Sequence, residues 1–321
     1  MSIKIIKPGI FSTIQDLGRP KFRSLGIGPG GVMDFFAASV ANYIAGNNEN
    51  APVIEMHFPA AEILFEEDTI ICIAGADFDA RIYDMPVEMY KPVIVQKNMT
   101  LSFKANFSGA RVYLAIHGGM QAEKWLDSYS TNLKVNAGGH NGMPLKKEDI
   151  IEIQQQTTEV NHKYFFIDPS SLSSVYNNQH SIRCIAGPEW EMLSDDGQKK
   201  FLKNEFILTS LSDRMGYRLF GENIELENSL NLVSSPVNFG TIQILPSEQL
   251  IVLMADHQTT GGYPRIATAI KADLPKLAQL PINAKLKFEL VSQQEAEDAL
   301  IAVQHTLAAV KTTCKKTYGI N

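Results

Sequence analysis

The chain has 321 residues, 45% of them apolar and 20% charged, with 29 Lys and Arg against 35 Asp and Glu for a formal net charge of -6. That length suits about two domains with cores of their own, and the apolar content excludes wholesale disorder. The mildly acidic balance argues against nucleic acid or an anionic membrane as the main partner. Cys72, Cys184 and Cys314 are too sparse for a disulfide framework, and no CxxC pair is present for a cysteine-rich zinc site. No apolar run reaches the roughly 20 residues of a membrane span. The N-terminus lacks the apolar stretch of a signal peptide, so a cytoplasmic protein is expected.

Strand signals dominate from the start. Short runs rich in Ile, Val, Tyr and Phe, bounded by Gly, Pro, Asn or Asp, predict strands at Ile3–Ile6, Thr69–Ala74, Val87–Val95, Thr100–Phe103, Arg111–Ile116 and Ile150–Ile153. Further on they predict Lys163–Ile167, Ile182–Ala186, Gly240–Leu245, Leu250–Ala255 and Lys285–Val291. Helices are few: 33–45, with Asp34 as its cap, 188–202, opened by Pro188, and 293–311, acidic first and basic last. The spacing of turns is that of antiparallel sandwiches or barrels, and nothing alternates strand with long helix. Two polar stretches within 155–180 mark the domain boundary, which divides the chain into 1–170 and 171–321, the latter ending in the C-terminal helix.

Three clusters carry chemistry. The first runs from Ser12 to Pro20 and includes Asp16 and Arg19; the Gly-rich loop Gly26–Asp34 follows it and ends at a helix start. Glycines permit close backbone approach there, and a helix start attracts anions, while a plain loop with Asp34 as its cap fits equally well. The loop has neither the GK[ST] of a P-loop nor a βαβ context. The second cluster is Ser212-Asp213-Arg214-Met215-Gly216-Tyr217-Arg218, where Asp213 is placed to orient Arg214 and leave its fork for an anionic or carbonyl ligand. The third is the sharpest: the apolar strand Ile251–Ala255 runs into Asp256-His257-Gln258-Thr259-Thr260-Gly261-Gly262-Tyr263. Asp256 and His257 are candidates for charge and proton handling, although strand neighbours point to opposite faces. Thr259, Thr260 and the Gly261 and Gly262 amides suit a polar substrate or an oxyanion. No HExxH or similar ligand spacing supports a metal site, and no GxSxG supports a serine hydrolase.

In this order and spacing, Phe11–Arg19, the Gly-rich loop ending Met33-Asp34, Ala74–Asp77, Ser212–Tyr217 and Ala255–Tyr263 resemble the family of C-type subunits of 5-oxoprolinase, also called allophanate hydrolase subunit 2. That family is similar to part of the carboxyltransferase domain of urea amidolyase. The resemblance implies a mainly β fold of two cyclophilin-like barrel modules with a few helices. It implies one component of an ATP-dependent 5-oxoprolinase that converts 5-oxoproline to glutamate together with B-type and A-type partner subunits. ATP is then a co-substrate of the complex. No biotin is attached to this chain, which lacks Ala-Met-Lys-Met, and nothing in it suggests an ATP-binding unit. Two alternatives remain: a carboxyltransferase component that moves a carboxyl group from carboxybiotin to urea or a related amide, and a regulatory protein that antagonises a kinase inhibitor. For the enzyme readings, Arg214 is expected to stabilise charge, Asp256 or His257 to handle the proton, and Thr259, Thr260, Gly261, Gly262, Tyr263, Asp213 and Tyr217 to hold the amide substrate. Asp16, Arg19 and Asp34 form a second binding group. Where the family carries Gly-Ser-Arg-Ser-Thr, this chain has Asp127-Ser128-Tyr129-Ser130-Thr131, and Tyr129 brings no charge of its own.

Overall fold

The computed structural model describes residues 1–154, 167–177, 180–227 and 232–318. The chain forms two compact units. One gathers Met1–Arg19, Asp34–Ser173 and His305–Asn321; the other gathers Pro20–Met33 and Ser174–Gln304. Most of the expected 155–180 boundary, and most of the strand expected at Lys163–Ile167, lie outside the described residues.

In the first unit the strands are β1 (Ser2–Lys7), β2 (Ser12–Gln15), β3 (Val53–Met56), β4 (Glu62–Phe65), β5 (Thr69–Asp77), β6 (Ala80–Ile82), β7 (Met85–Pro86), β8 (Val93–Val95), β9 (Thr100–Phe103), β10 (Ser108–Ile116) and β11 (Ile150–Glu152). They make a six-stranded sheet, β11-β1-β4-β9-β6-β7, and a five-stranded sheet, β2-β3-β10-β5-β8. Period-two alternation turns one face of each sheet into a shared core. Ile3 pairs with Phe65 and Ile5 with Ile63 in the first sheet; Ile14 pairs with Ile54 and Leu114 with Ile73 in the second. Helix α1 (Phe35–Ile44) packs on β5 and β10 of the five-stranded sheet. Asp34 caps it, its Oδ1 accepting the Ala37 N–H at 2.9 Å.

Helix α2 (Pro169–Tyr176) runs across the division at Ser173, and the second unit then contains β12 (Ser181–Ala186), α3 (Asp195–Lys203), β13 (Phe206–Leu208), β14 (Gly216–Phe220), β15 (Ser235–Pro236), β16 (Thr241–Ile244), β17 (Leu250–Leu253), β18 (Thr260–Gly261), β19 (Arg265–Ala269), α4 (Leu274–Ala278) and β20 (Lys285–Leu290). Seven strands close a barrel in the order β12-β19-β16-β17-β14-β13-β20, sealed by the parallel pairing of β20 with β12. Its core takes Phe201 from α3, stacked on Phe288 with centroids 4.8 Å apart, and Met33 from the Gly-rich loop. Strands β15 and β18 form a separate two-stranded flap.

The expected mainly β architecture with few helices is present, with a closed barrel in the second unit and two sheets around a shared core in the first. Boundaries differ in places. Residues 87–92 do not join the strand at Val93–Val95, and the helix expected at 188–202 is a 3-10 turn, Trp190–Met192, followed by α3. Ser194 explains that break, because its Oγ accepts the Gly197 N–H and starts the helix anew. The C-terminal helix, α5, runs longer than expected, over Gln293–Tyr318. Its last turns dock on the first unit: Cys314 is buried, Lys311 reaches Glu49 at 3.9 Å, and the Tyr318 hydroxyl donates to the Ile44 carbonyl.

All three cysteines are free and buried, and burial pushes the Cys184 and Cys314 thiols up to about 12 and the Cys72 thiol well above its ordinary value. Since the thiolate is the nucleophile, native protein at pH 8 should resist iodoacetamide while denatured protein is alkylated at three sites. Mass spectrometry checks this; native labelling at the denatured rate would contradict it. No helix among the described residues is long and apolar enough to cross a membrane.

Candidate functional site

In the second unit, the ladder between β14 and β17 continues past the strand ends. Met254 N–H donates to the Met215 carbonyl at 3.0 Å and Asp256 N–H to the Arg214 carbonyl at 2.8 Å. That register makes Arg214 and Asp256 cross-strand neighbours. Arg214 grips Asp256 with two bonds, Nε to Oδ2 at 2.8 Å and Nη2 to Oδ1 at 3.0 Å. Nη2 also reaches the Gly31 carbonyl at 2.5 Å, although the two residues lie 183 positions apart. With Arg214 only 6% exposed, a paired and hydrogen-bonded guanidinium is what burial demands. The carboxylate that orients Arg214 is therefore Asp256, not Asp213. Asp213 turns back on its own loop, accepting from Met215 N–H at 2.8 Å and Gly216 N–H at 3.1 Å. The expected open fork on Arg214 is taken up by Asp256 and Gly31.

The Gly-rich loop thus belongs to this unit and closes on the strand-end cluster. A Cβ at Gly28 would lie 2.8 Å from the His257 carbonyl oxygen, so only glycine permits that approach. His257 is 1% exposed and its Nδ1 lies 2.5 Å from the Gln258 carbonyl. A carbonyl accepts, so Nδ1 carries the proton and Nε2 is the basic nitrogen. Asp256 and His257 form no dyad, because each side chain is committed to a different partner.

Beyond His257 the chain becomes the flap. Thr259 presents its carbonyl to Val237 N–H at 3.1 Å, Thr260 pairs with Pro236 and Gly261 with Ser235. Gln243 on β16 holds the turn, its Nε2 donating to the Tyr263 carbonyl at 3.1 Å. A Cβ on Gly261 would come within 2.8 Å of that nitrogen, so a larger residue there would have to displace the Gln243 amide. Thr260, Gly262 and the Tyr263 side chain are exposed. Tyr217 lies elsewhere than expected: strand alternation turns it, with Leu219, into the barrel core, so it cannot hold a polar substrate at the strand end.

In the first unit, Asp16 and Arg19 come together around residues 125–131. The Asp16 carboxylate accepts from Ser128 Oγ and Ser130 Oγ at 2.6 Å each, Tyr129 N–H at 2.7 Å and Gly18 N–H at 2.8 Å. Arg19 donates to the Trp125 and Ser130 carbonyls and lies 4.9 Å from the centre of the Trp125 ring. Both are buried, and their bonds hold the loop that carries Tyr129. Lys124 brings a charge back to that spot, its Nζ 5.8 Å from the centre of the Tyr129 ring. Asp34 makes its bonds elsewhere: its N–H donates to the Tyr113 hydroxyl, which donates to Glu55 at 2.8 Å, and Glu55 lies 3.9 Å from Arg111.

Gln243, Glu55, Arg111 and Tyr113 were not singled out from the sequence. The alternation Thr241-Ile242-Gln243-Ile244 carried a signal for the first of these, since it places polar residues on one face of an otherwise apolar strand. Among the described residues no three His, Cys, Asp or Glu side chains converge in a way that could hold a metal ion.

Residues 25–290 match the family described as carboxyltransferase domain, subdomain A and B. The chain is 38% identical to the C-type subunit of 5-oxoprolinase from Haemophilus influenzae over 89% of its own length and 90% of that protein. It is 35% identical to the Escherichia coli protein of the same description, over 92% and 93%. Urea amidolyase of Saccharomyces cerevisiae is 28% identical over 92% of this chain but only 17% of that much longer protein. The crystal structure of the Kluyveromyces lactis urea amidolyase superposes with a TM-score of 0.89 at 24% identity, covering 96% of this chain and 20% of that one.

Proposed function

The chain belongs to the carboxyltransferase-domain family of subdomains A and B, and on that premise we propose that it is the C-type component of an ATP-dependent 5-oxoprolinase. The observation that carries this reading is extent. The two C-type 5-oxoprolinase relatives match this chain from end to end at about nine-tenths coverage of both partners. The urea amidolyase relatives match it only as a small part of a longer chain.

The strand-end site suits amide chemistry. Lactam opening develops negative charge on the amide oxygen and needs a proton delivered to the departing nitrogen. On a backbone fixed by β17 and with Nδ1–H held by the Gln258 carbonyl, His257 would take the attacking water's proton at Nε2 and pass it to the departing nitrogen, while the Arg214–Asp256 pair locks the Gly-rich loop beside it. B-type and A-type partner subunits complete the enzyme, and the ATP site lies with the complex. The carboxyltransferase reading is supported by the urea amidolyase relatives, at lower identity.

The purified chain alone should turn over 5-oxoproline with ATP at background rate, and adding the two partners should bring glutamate formation to an ordinary enzyme rate. The measurement is glutamate and ADP release. Turnover by the single chain at a rate the partners do not change would refute the reading. Urea-dependent loss of carboxyl from a carboxybiotin carrier, with no 5-oxoproline turnover, would install the carboxyltransferase in its place.

A further inference from the structure

The arginines of the second unit divide sharply. Arg183 is paired with Asp273, Arg214 with Asp256 and Arg265 with Glu189, while Arg218 is exposed on β14. Arg23 fits neither group. It sits half-buried on the 3-10 turn Pro20–Leu25 that leads into the Gly-rich loop, and among the described residues no carboxylate pairs with it. Its Nη2 donates to the Val237 carbonyl at 2.5 Å. Its Nε–H is shut away from solvent and meets no acceptor. A half-buried cation without a counter-charge, with one buried donor unmet, carries a cost that an acceptor of opposite charge would remove.

Its position says what. Val237, which takes the Arg23 bond, donates its own N–H to the Thr259 carbonyl at 3.1 Å. Gly28, five residues beyond Arg23, packs against the His257 carbonyl. Arg23 is therefore tied to the strand-end cluster through both its side chain and its loop. We propose that Arg23 is the anion-binding residue of that site and that it takes the carboxylate of a small lactam acid. This rests on the lactam reading above and deepens it. The planar fork of a guanidinium matches a carboxylate. The other arginine of the cluster, Arg214, already has a carboxylate partner in Asp256, whereas Arg23 brings a single positive charge, matching a monoanion rather than a phosphate of nearly twice that charge.

The test uses the full chain labelled with nitrogen-15 and follows the Arg23 Nε–H resonance. The ligands are 5-oxoproline, 2-pyrrolidinone (the same ring without the carboxylate), acetate and inorganic phosphate. The resonance should move saturably with 5-oxoproline and more weakly with acetate, and stay still with 2-pyrrolidinone. In Arg23→Ala, 5-oxoproline should bind about 10–100-fold more weakly, the loss expected for one charge-assisted contact, and 2-pyrrolidinone unchanged. Arg23→Lys should recover part of the loss, and its melting curve should match the parent, which guards against a folding defect in the alanine variant. Unchanged 5-oxoproline affinity in Arg23→Ala, no response of the resonance to any carboxylate, or tighter binding of phosphate than of 5-oxoproline would each overturn the assignment. If the lactam reading alone is wrong, the reconstituted complex fails to turn over 5-oxoproline while the Arg23 resonance still answers acetate.

Discussion

Asp16→Ala should destabilise the first unit by about 3–5 kcal/mol, among the largest effects of any single substitution in the chain. The buried carboxylate takes four hydrogen bonds, three of them from Ser128, Tyr129 and Ser130. Bonds to a charged group contribute roughly 1.5–3 kcal/mol each, and donors left buried without an acceptor add their own penalty. Relaxation of the loop recovers part of that sum, which sets the stated range. Asp16→Asn should cost nearly as much, since an amide must turn its own N–H groups toward donors. Urea unfolding followed by tryptophan fluorescence reads the change, with Trp125 beside Arg19 as a local reporter. A loss under about 1 kcal/mol in both variants would show that solvent holds the loop as well as Asp16 does.

Asp256→Ala should cost about 3 kcal/mol and abolish turnover of the reconstituted complex. Removing one partner of a buried pair leaves an uncompensated charge, which typically costs 3–5 kcal/mol. The lower end applies because the Asp256 side chain is 23% exposed. Arg214→Ala should be comparably damaging, as it also frees the Gly31 carbonyl. The double variant Arg214→Met, Asp256→Leu separates stability from function. It should regain most of the stability, because no unpaired charge remains, yet stay inactive, because the Gly-rich loop is no longer tied down. Melting curves and 5-oxoproline turnover on the same preparations give the answer. A stable, active double variant would remove the pair from the site.

What the residues disclosed follows from how locally each feature is encoded. Strands such as β16 and β17 announce themselves, because a short apolar run bounded by Gly, Pro and Asp leaves little alternative. β2 does not, since Ser12, Thr13 and Gln15 surround a single apolar residue, yet all four are buried. Its polar side chains find local partners, the Pro8 carbonyl and each other, while the pairing with β3 that makes it a strand comes from about 40 residues away. β14 is hidden for the same reason, inside a string that reads as charged chemistry. In the site, the residue types at Arg214, Asp256 and His257 were legible, but the pairing was not. Asp213 stood next to Arg214 in sequence, whereas the ladder register delivered Asp256 from 42 residues away. The solitary state of Arg23 was equally invisible, because it depends on where every acidic side chain lies.

The chain's path through its two units bears on how it is made. Met33 sits in a barrel core whose other members begin at Ile182, and the first unit counts His305–Asn321 among its own residues. A ribosome adding roughly 5–20 residues per second takes about 15–65 s over 321 residues. For most of that time, residues 20–33 are outside with nothing to join, and the first unit lacks its closing helix. Neither unit can finish before residue 304 has been made, so the usual order, in which an N-terminal domain is complete while the next is still emerging, does not apply. The nascent chain carries apolar strands without their final cover until the last turns of α5 leave the exit tunnel. A long interval with unfinished strands exposed during synthesis is thereby written into the route the backbone takes.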